Sequence, residues 1–194
     1  MSKVITISRQ YGSGGRELGE KLAKRLGIPF YDKELVSMIS KEGDIDPAIL
    51  EATDVLDPEY DDDTIGQVAP HYHASVTHRL YAAQEKVIRR LAEEGPCVIV
   101  ERCADVILPD AVSIFVYADL ECRIRRIMMV HPELARYNVK ANILSVDERR
   151  RSYYQYYAPK EWGKMETYDI CLNSGLIGVE GCLDAALAYI EHVK

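Results

Sequence analysis

The chain has 194 residues, 47% hydrophobic and 28% charged, with a formal net charge of −7. This length and composition predict one globular domain with a sizeable core and exclude a wholly disordered chain. The negative charge argues against a broad nucleic-acid-binding surface, although an anion can still bind at a local site.

Several classes of protein are excluded by the distribution of apolar residues and cysteines. No apolar run approaches the roughly 18 residues needed to span a bilayer, and the first residues lack the pattern of a signal peptide. The five cysteines are widely spaced without a CxxC pair, so we expect neither disulfides nor a zinc site. We therefore expect a cytoplasmic protein without membrane partners, and we assign no metal ligands.

Predicted strands and helices alternate along the chain. The β-branched run at 3–8 predicts a first strand, and leucines at helical spacing predict a helix that ends at Gly27. Further strands are predicted at 28–31, 97–100, 112–117 and 168–172, and helices at 33–41, 47–53, 71–94, 119–129, 145–157 and 179–193. This alternation predicts an α/β fold whose parallel sheet carries helices on both faces.

Two segments interrupt the alternation. Residues 54–70 predict an acidic exposed loop, and residues 130–144 predict a polar, irregular stretch. Ser145 and Glu148 fit a capping box, so the next helix is predicted to begin at Ser145.

A glycine-rich turn, SRQYGSGGRE at 8–17, lies between the first strand and the first helix. Glycines let the backbone approach an anion, and the free N–H groups at the helix start then point at phosphate oxygens. The turn therefore predicts a phosphate site, and its candidate cofactor-binding residues are Gly12, Ser13, Gly14, Gly15, Arg16 and Glu17.

The turn half matches the P-loop pattern GxxxxGK[ST]. In that register Arg9 replaces the first glycine, Gly15 the lysine and Arg16 the serine or threonine, while Gly14 fits. Ser13 is the only hydroxyl within the glycine turn that could contact a metal ion.

The same turn half matches the dinucleotide pattern GxGxxG, with Glu17 in place of the third glycine. Asp32 lies near the distance expected of a ribose-binding acid. The motif alone therefore leaves a nucleoside triphosphate site and a Rossmann-type dinucleotide site open.

Four segments resemble the cytidylate kinase-like family, relatives of the bacterial cytidylate kinases among the P-loop nucleoside monophosphate kinases. They are ITISRQYGSGGRELG at 5–19, FYDKEL at 30–35, VIVERCAD at 98–105, and 152–162 with Tyr168-Asp169. The resemblance implies a P-loop NTPase fold with a five-stranded parallel sheet in a single domain, 1–194. Its core would comprise 1–32, 96–129 and 165–194, with a helical monophosphate-binding insertion at about 33–95 and a lid at about 130–164.

The resemblance also implies an activity, namely phosphoryl transfer from ATP, with Mg2+, to a nucleoside monophosphate. The partners would be small nucleotides, and the oligomeric state is not determined. In this hypothesis the amides of 12–16 hold the donor phosphate, and Arg16, or as the less favoured choice Arg9, replaces the missing lysine. Because the lysine and hydroxyl positions differ, a nucleotide-binding protein that has lost catalysis remains an alternative.

The acceptor site is inferred from the resemblance as well. Cytidylate kinases carry a GRD-type motif where this chain has Glu101-Arg102-Cys103. Arg102 would hold the acceptor phosphate, and Asp32 would open the acceptor-binding segment. The alternatives are a surface ion pair for Arg102 and a helix cap for Asp32.

Arginines on two predicted helices bracket the lid and are expected to neutralise the transferring phosphoryl group. We assign catalytic roles to Arg126 and Arg149, beside Arg16 and Arg102, and substrate binding to Arg150. The alternative is a solvated basic face. The tyrosines at 153, 154, 156 and 157 are interpreted as lid packing rather than as a base-stacking surface, and the cytosine-binding Asp–Arg pair is not reproduced.

Overall fold

The structure is a computed structural model that describes residues 3–45, 74–136 and 138–193. Its strands are β1 (Ile5–Arg9), β2 (Phe30–Tyr31), β3 (Val98–Val100), β4 (Val112–Tyr117) and β5 (Ile170–Asn173). They form one parallel sheet in the order β2-β3-β1-β4-β5. The predicted five-stranded parallel sheet is therefore confirmed. A dinucleotide-binding fold places its second strand beside the first, whereas here β3 lies between β1 and β2, so the Rossmann alternative is wrong.

Helices connect the strands. They are α1 (Gly15–Leu26), α2 (Lys33–Gly43), α3 (Ala74–Glu94), α4 (Ala104–Ile107), α5 (Leu120–Val130), α6 (Val139–Tyr157) and α7 (Ser174–His192). Short 3-10 helices occupy Pro132–Arg136 and Met165–Thr167. Gly27 ends α1 in the left-handed conformation, as predicted, and α7 is kinked at Gly178.

The capping-box prediction at Ser145 is wrong. α6 begins at Val139, and the Asn138 side chain accepts a hydrogen bond from the Ala141 N–H at its first turn. Ser145 therefore lies inside the helix, and most of the predicted irregular stretch is helical. Asn138 is as good a cap as serine, and only the local backbone decides between two such candidates. The predicted helix at 47–53, the loop at 54–70 and residues 71–73 lie outside the described residues.

Both faces of the sheet are covered by helices, which explains why its strands are continuously apolar. On one face α1 and α7 pack against the strands, with Ile7, Leu18 and Ile114 fully buried. On the other face α2 packs against α3, and Leu35 and Ile99 belong to this second cluster. Among the described helices, none has the length and hydropathy that a membrane span requires.

The topology brings polar groups together at one edge of the sheet. The chain leaves β1 at the glycine-rich turn, β2 at Asp32, β3 at Glu101 and β4 at Ala118. Because parallel strands end at the same edge, these four segments face one crevice.

Candidate functional site

The glycine-rich turn adopts a conformation that its glycines permit. Gly14 is the N-cap of α1 with φ 81°, and Gly12 has φ 79°, so both lie in the left-handed region. A Cβ on Gly14 would lie 2.8 Å from Val179 Cγ2 and 3.0 Å from Arg126 Cζ. Backbone conformation and space therefore both require glycine at position 14.

A cleft of about 330 Å³ opens in front of this turn. Its lining includes five cationic side chains: Arg9, Arg16, Lys33, Arg126 and Arg150. Of the residues predicted from sequence, the structure brings Gly12, Gly14, Gly15, Arg16, Glu17, Arg126 and Arg150 to this one cleft. N–H groups at a helix start and surrounding cations are the chemistry that binds a polyphosphate.

Ser13 does not face the cleft. Its buried hydroxyl donates to the Val116 carbonyl oxygen at 3.1 Å, and its carbonyl oxygen accepts from the Ser174 hydroxyl at 2.6 Å. The hydroxyl therefore fixes the turn to β4 and α7, and the expectation that it contacts a metal ion is wrong for this conformation.

The described residues do not offer a protein ligand set for magnesium. Arg16 stands at the P-loop hydroxyl position, and the Glu17 carboxylate in the cleft pairs with Arg126 and Lys21. No group of three or more metal-ligating side chains occurs among the described residues. Magnesium binds proteins through carboxylate or hydroxyl oxygens together with phosphate oxygens and water, and the carboxylates that line the cleft are Glu17 and Glu20.

Asp32 follows β2 and is buried, with its side chain 1% exposed. Arg16 Nε donates to Asp32 Oδ2 at 2.5 Å, and Arg9 Nη2 lies 3.8 Å from Oδ1. The side chain makes no capping hydrogen bond to α2, so the helix-cap alternative is wrong. Asp32 instead connects the glycine-rich turn to the end of β1.

Glu101 at the end of β3 joins the same network. Its Oε1 accepts a hydrogen bond from the Arg9 backbone N–H at 3.0 Å and lies 3.5 Å from Arg9 Nη1 and 3.9 Å from Arg150 Nη1. Arg150 Nη1 also donates to the Arg9 carbonyl oxygen at 3.0 Å. The buried Asp32 and the largely covered Glu101 therefore hold three arginines in a chain, Arg16–Asp32–Arg9–Glu101–Arg150.

The turn after β3 is strained. Glu101, Arg102 and Cys103 have φ values of 66°, 63° and 53°, so three consecutive non-glycine residues are left-handed. Each such residue costs about 1 kcal/mol or more, and strain of this kind gathers at functional sites. The Gln84 side-chain amide donates to the Arg102 carbonyl oxygen at 2.5 Å, which helps to hold the turn.

Arg102 is buried at 5% exposure, so a surface ion pair does not describe it. With Arg150, Tyr153 and Trp162 it lines a second, small cavity of about 20 Å³. Burial raises the pKa of the neighbouring Cys103 thiol, which is therefore not activated as a nucleophile. The cavity adjoins the cationic cleft through Arg150, which lines both.

The tyrosines of α6 pack, as the sequence indicated. Tyr157 stacks on Tyr81 with ring centroids 4.2 Å apart, and Tyr153 donates to Gln84 Oε1 at 2.8 Å. Tyr154 donates to Asp105 Oδ2 at 2.6 Å. Tyr153 and Tyr154 line the small cavity, whereas Tyr156 is 59% exposed and does not line it.

The arginines of α5 and α6 that are predicted to bracket the lid lie in different environments. Arg123 is buried and donates to Asp147 Oδ2 at 2.5 Å, whereas Arg126 pairs with Glu17 directly over Gly14. Arg149 is half-buried on α6 and is not among the described residues that line either cavity. Arg126 therefore lines the cleft in front of the glycine-rich turn, whereas Arg149 does not.

A comparison with protein families decides how this arrangement is classified. The model of the cytidylate kinase-like family matches residues 4–176. The chain belongs to the cytidylate kinase-like family. No curated protein sequence gives a significant match.

Solved structures agree with the fold of this cytidylate kinase-like protein. An uncharacterized protein from Eubacterium ventriosum ATCC 27560 is 28% identical, with a TM-score of 0.74 over 98% of this chain and 99% of that chain. A shikimate kinase from Bacteroides thetaiotaomicron is 13% identical, with a TM-score of 0.57 over 98% of this chain and 99% of that chain. A shikimate kinase from Acinetobacter baumannii, in complex with shikimate, is 15% identical, with a TM-score of 0.55 over 99% of this chain and 96% of that chain. At these identities the two kinases show the fold alone, and it is the P-loop kinase fold.

Within this cytidylate kinase-like fold, sequence reasoning missed two groups. In the sequence, Glu101 stands out as a departure from the GRD-type motif and as a candidate ion-pair partner of Arg102, and Asp147 is not singled out. Glu101 orients Arg9 and Arg150, and Asp147 binds the glycine-rich turn. Both act on residues more than 45 positions away, so no local pattern in the sequence marks them.

Proposed function

We propose that this protein transfers the terminal phosphoryl group of ATP to a small acceptor, and that the acceptor is a nucleoside monophosphate. The observation that carries the proposal is the junction of two cavities. A cationic cleft in front of a P-loop-like turn adjoins a second cavity lined by Arg102, and Arg150 lines both. Transfer between two phosphate groups requires this arrangement, with cations around both partners.

In this proposal the N–H groups of 12–16 hold the donor phosphates, and Gly12 and Gly14 let the backbone approach them. Arg126, which lies over Gly14, would neutralise charge on the transferring group, and Arg16 would contact the phosphates from the rim. Phosphoryl transfer needs positioning and charge neutralisation more than covalent participation by the protein. The donor in this proposal is the magnesium complex of ATP.

On the acceptor side Arg102 and Arg150 would bind the anionic group, and Asp32 would orient the segment through Arg16. The cavity beside Arg102 is about 20 Å³, which is room for about one water molecule. An acceptor therefore enters only when α6 moves away. The catalytic role proposed for Arg149 likewise needs another position of α6, because Arg149 does not line the cleft in the conformation described.

The test is ADP production from Mg-ATP with a panel of nucleoside monophosphates and deoxynucleotides. Shikimate and a no-acceptor reaction serve as controls. We expect turnover that depends on a nucleotide acceptor. In Arg102→Gln the KM for that acceptor should rise about tenfold or more, whereas Arg25→Gln, an exposed arginine on α1, should behave as wild type.

A second candidate is a protein that binds nucleoside triphosphate without catalysis. Gly15 at the lysine position and Arg16 at the hydroxyl position favour it, because both usual catalytic side chains of a P-loop are replaced. The Ser13 hydroxyl does not substitute for them, since it donates to the Val116 carbonyl oxygen. Binding of ATP without turnover on any nucleotide acceptor would favour this candidate over the kinase.

A further inference from the structure

The P-loop position that carries a lysine in the usual motif has no room for any side chain here. A Cβ built on Gly15 would lie 2.7 Å from Arg9 Cβ, 3.0 Å from Arg9 Cδ and 3.2 Å from Val116 Cβ. A separation of 2.7 Å is shorter than real Cβ contacts. Arg9 Cβ and Val116 Cβ are both attached directly to the backbone of buried strands, so neither can move aside easily. The aliphatic part of Arg9 therefore fills the space above Gly15.

The guanidinium of Arg9 is fixed at the floor of the cationic cleft. Its side chain is 7% exposed, and Arg9 lines the cleft together with Gly12, Gly14 and Gly15. Glu101 lies 3.5 Å from Nη1 and Asp32 lies 3.8 Å from Nη2. The two carboxylates stabilise the charge at this depth, where an uncompensated cation would be costly.

The backbone of Arg9 is held as firmly as its side chain. Its N–H donates to Glu101 Oε1 at 3.0 Å, and its carbonyl oxygen accepts from Arg150 Nη1 at 3.0 Å. A group held in this way loses little freedom when a ligand binds, and such preorganisation favours phosphate binding.

Arg16 is less suited to the same task. Its side chain is 51% exposed and donates to Asp32, so it lies at the rim of the cleft. In the aligned motif it occupies the hydroxyl position, which follows the lysine position. Water screens a charge at the rim more than a charge at the floor, and the contribution of Arg16 to phosphate binding is correspondingly smaller.

We propose that Arg9 supplies the phosphate-binding cation that the P-loop lysine supplies elsewhere, contacting the donor phosphates from the end of β1. This deepens the proposed function and rests on it. Asp32 and Glu101 are positioning residues that hold the guanidinium toward the turn. An arginine can contact two phosphate oxygens at once, which a lysine cannot do with fixed geometry.

The experiment measures binding of ADP and of inorganic tripolyphosphate by calorimetry, so that a lost phosphate contact appears with both probes. In Arg9→Gln we expect both affinities to fall about 10- to 100-fold. Arg9→Lys keeps the charge and should lose less. Arg16→Gln should lose less affinity than Arg9→Gln, and the control variant Arg25→Gln, an exposed arginine on α1, should stay within about threefold of wild type.

A charge-swap variant separates a phosphate contact from a structural one. Arg9→Gly combined with Gly15→Lys restores the first glycine and the lysine of the P-loop pattern, with Arg16 still at the hydroxyl position. The glycine removes the two Arg9 contacts that a side chain at position 15 would meet and leaves only the 3.2 Å approach to Val116. We expect this double variant to recover most of the affinity that Arg9→Gly alone loses. Gly15→Lys alone should bind weakly because its side chain meets Arg9. This swap also carries the test if Arg9→Gln does not fold.

The possible outcomes separate a failure of the proposed function from a failure of the role assigned to Arg9. If wild-type protein binds neither ADP nor ATP, the proposed function itself is wrong. If wild type binds ADP and folded Arg9→Gln binds it equally well, only the assignment of Arg9 is overturned. The assignment is likewise overturned if Arg16→Gln loses as much affinity as Arg9→Gln, or if a folded double variant recovers none.

Discussion

The Asp147 carboxylate on α6 accepts a hydrogen bond from the Tyr11 backbone N–H at 2.7 Å, although the two residues are 136 positions apart. Its other oxygen accepts from Arg123 Nη1 at 2.5 Å, and the same nitrogen donates to the Tyr11 carbonyl oxygen at 3.2 Å. One buried ion pair therefore joins α5, α6 and the glycine-rich turn. The conformation of the turn depends on where α6 lies.

Replacing Asp147 should destabilise the whole protein. Asp147→Asn leaves Arg123 buried without its carboxylate, and we expect a loss of about 3 kcal/mol in the free energy of unfolding. Urea denaturation followed by circular dichroism measures it. The neighbouring Glu148→Gln, whose side chain is 63% exposed, should cost less than about 0.5 kcal/mol. Similar losses in both variants would mean that the buried pair has no special weight.

Gly14 and Gly27 offer a matched comparison for the turn. Both are left-handed, with φ 81° and 67°, but a Cβ meets Val179 at 2.8 Å on Gly14 and nothing within 4 Å on Gly27. Gly27→Ala should cost about 1 kcal/mol from backbone conformation alone. Gly14→Ala should cost more and should also weaken ADP binding, measured by calorimetry. Equal effects on stability and binding would exclude a steric role for Gly14.

Arg126 should affect the chemical step. It lies over Gly14 and pairs with Glu17, so its charge faces the place proposed for the donor phosphates. With the preferred acceptor, Arg126→Gln should lower kcat by about 100-fold or more and change acceptor KM little. Steady-state kinetics beside the Arg25→Gln control would show this. A change confined to KM would place Arg126 in binding rather than in transfer.

Asp105 should make stability depend on pH. Burial raises the pKa of its carboxyl above 3.8, although the hydrogen bond from Tyr154 opposes the shift. The folded protein therefore keeps this proton longer than the unfolded chain does. The stability that this group contributes is complete below pH 3.8 and is lost as pH rises through the raised pKa.

Asp105→Asn removes that titration. Urea unfolding between about pH 4 and 8 should show the free energy of wild type falling relative to the variant as pH rises, and levelling off above the raised pKa. Tyr154→Phe removes the opposing hydrogen bond, so the decline should extend to higher pH. Parallel pH profiles for wild type and Asp105→Asn would contradict the direction of the shift.

Local sequence patterns located most of the elements because their causes are local. Gly27 ends α1 through its own backbone freedom, and Asp119 caps α5 through a hydrogen bond to Cys122, three residues on. Ser145 failed as a cap because Asn138 offers an equivalent side chain, and the choice depends on how the chain enters α6. The glycine-rich turn was likewise visible, since its glycines are adjacent in the chain.

The sequence by itself therefore determined the parallel α/β fold, the place of the glycine-rich turn between β1 and α1, and the family resemblance. Only the tertiary structure decided which charged groups meet. Arg9 and Glu101 are 92 positions apart and come together because β1 and β3 are neighbours in the sheet. Ser13 points inward because Val116 on β4 accepts its hydroxyl. Charged side chains look alike in a sequence, and their roles differ only through burial and partners that distant segments supply.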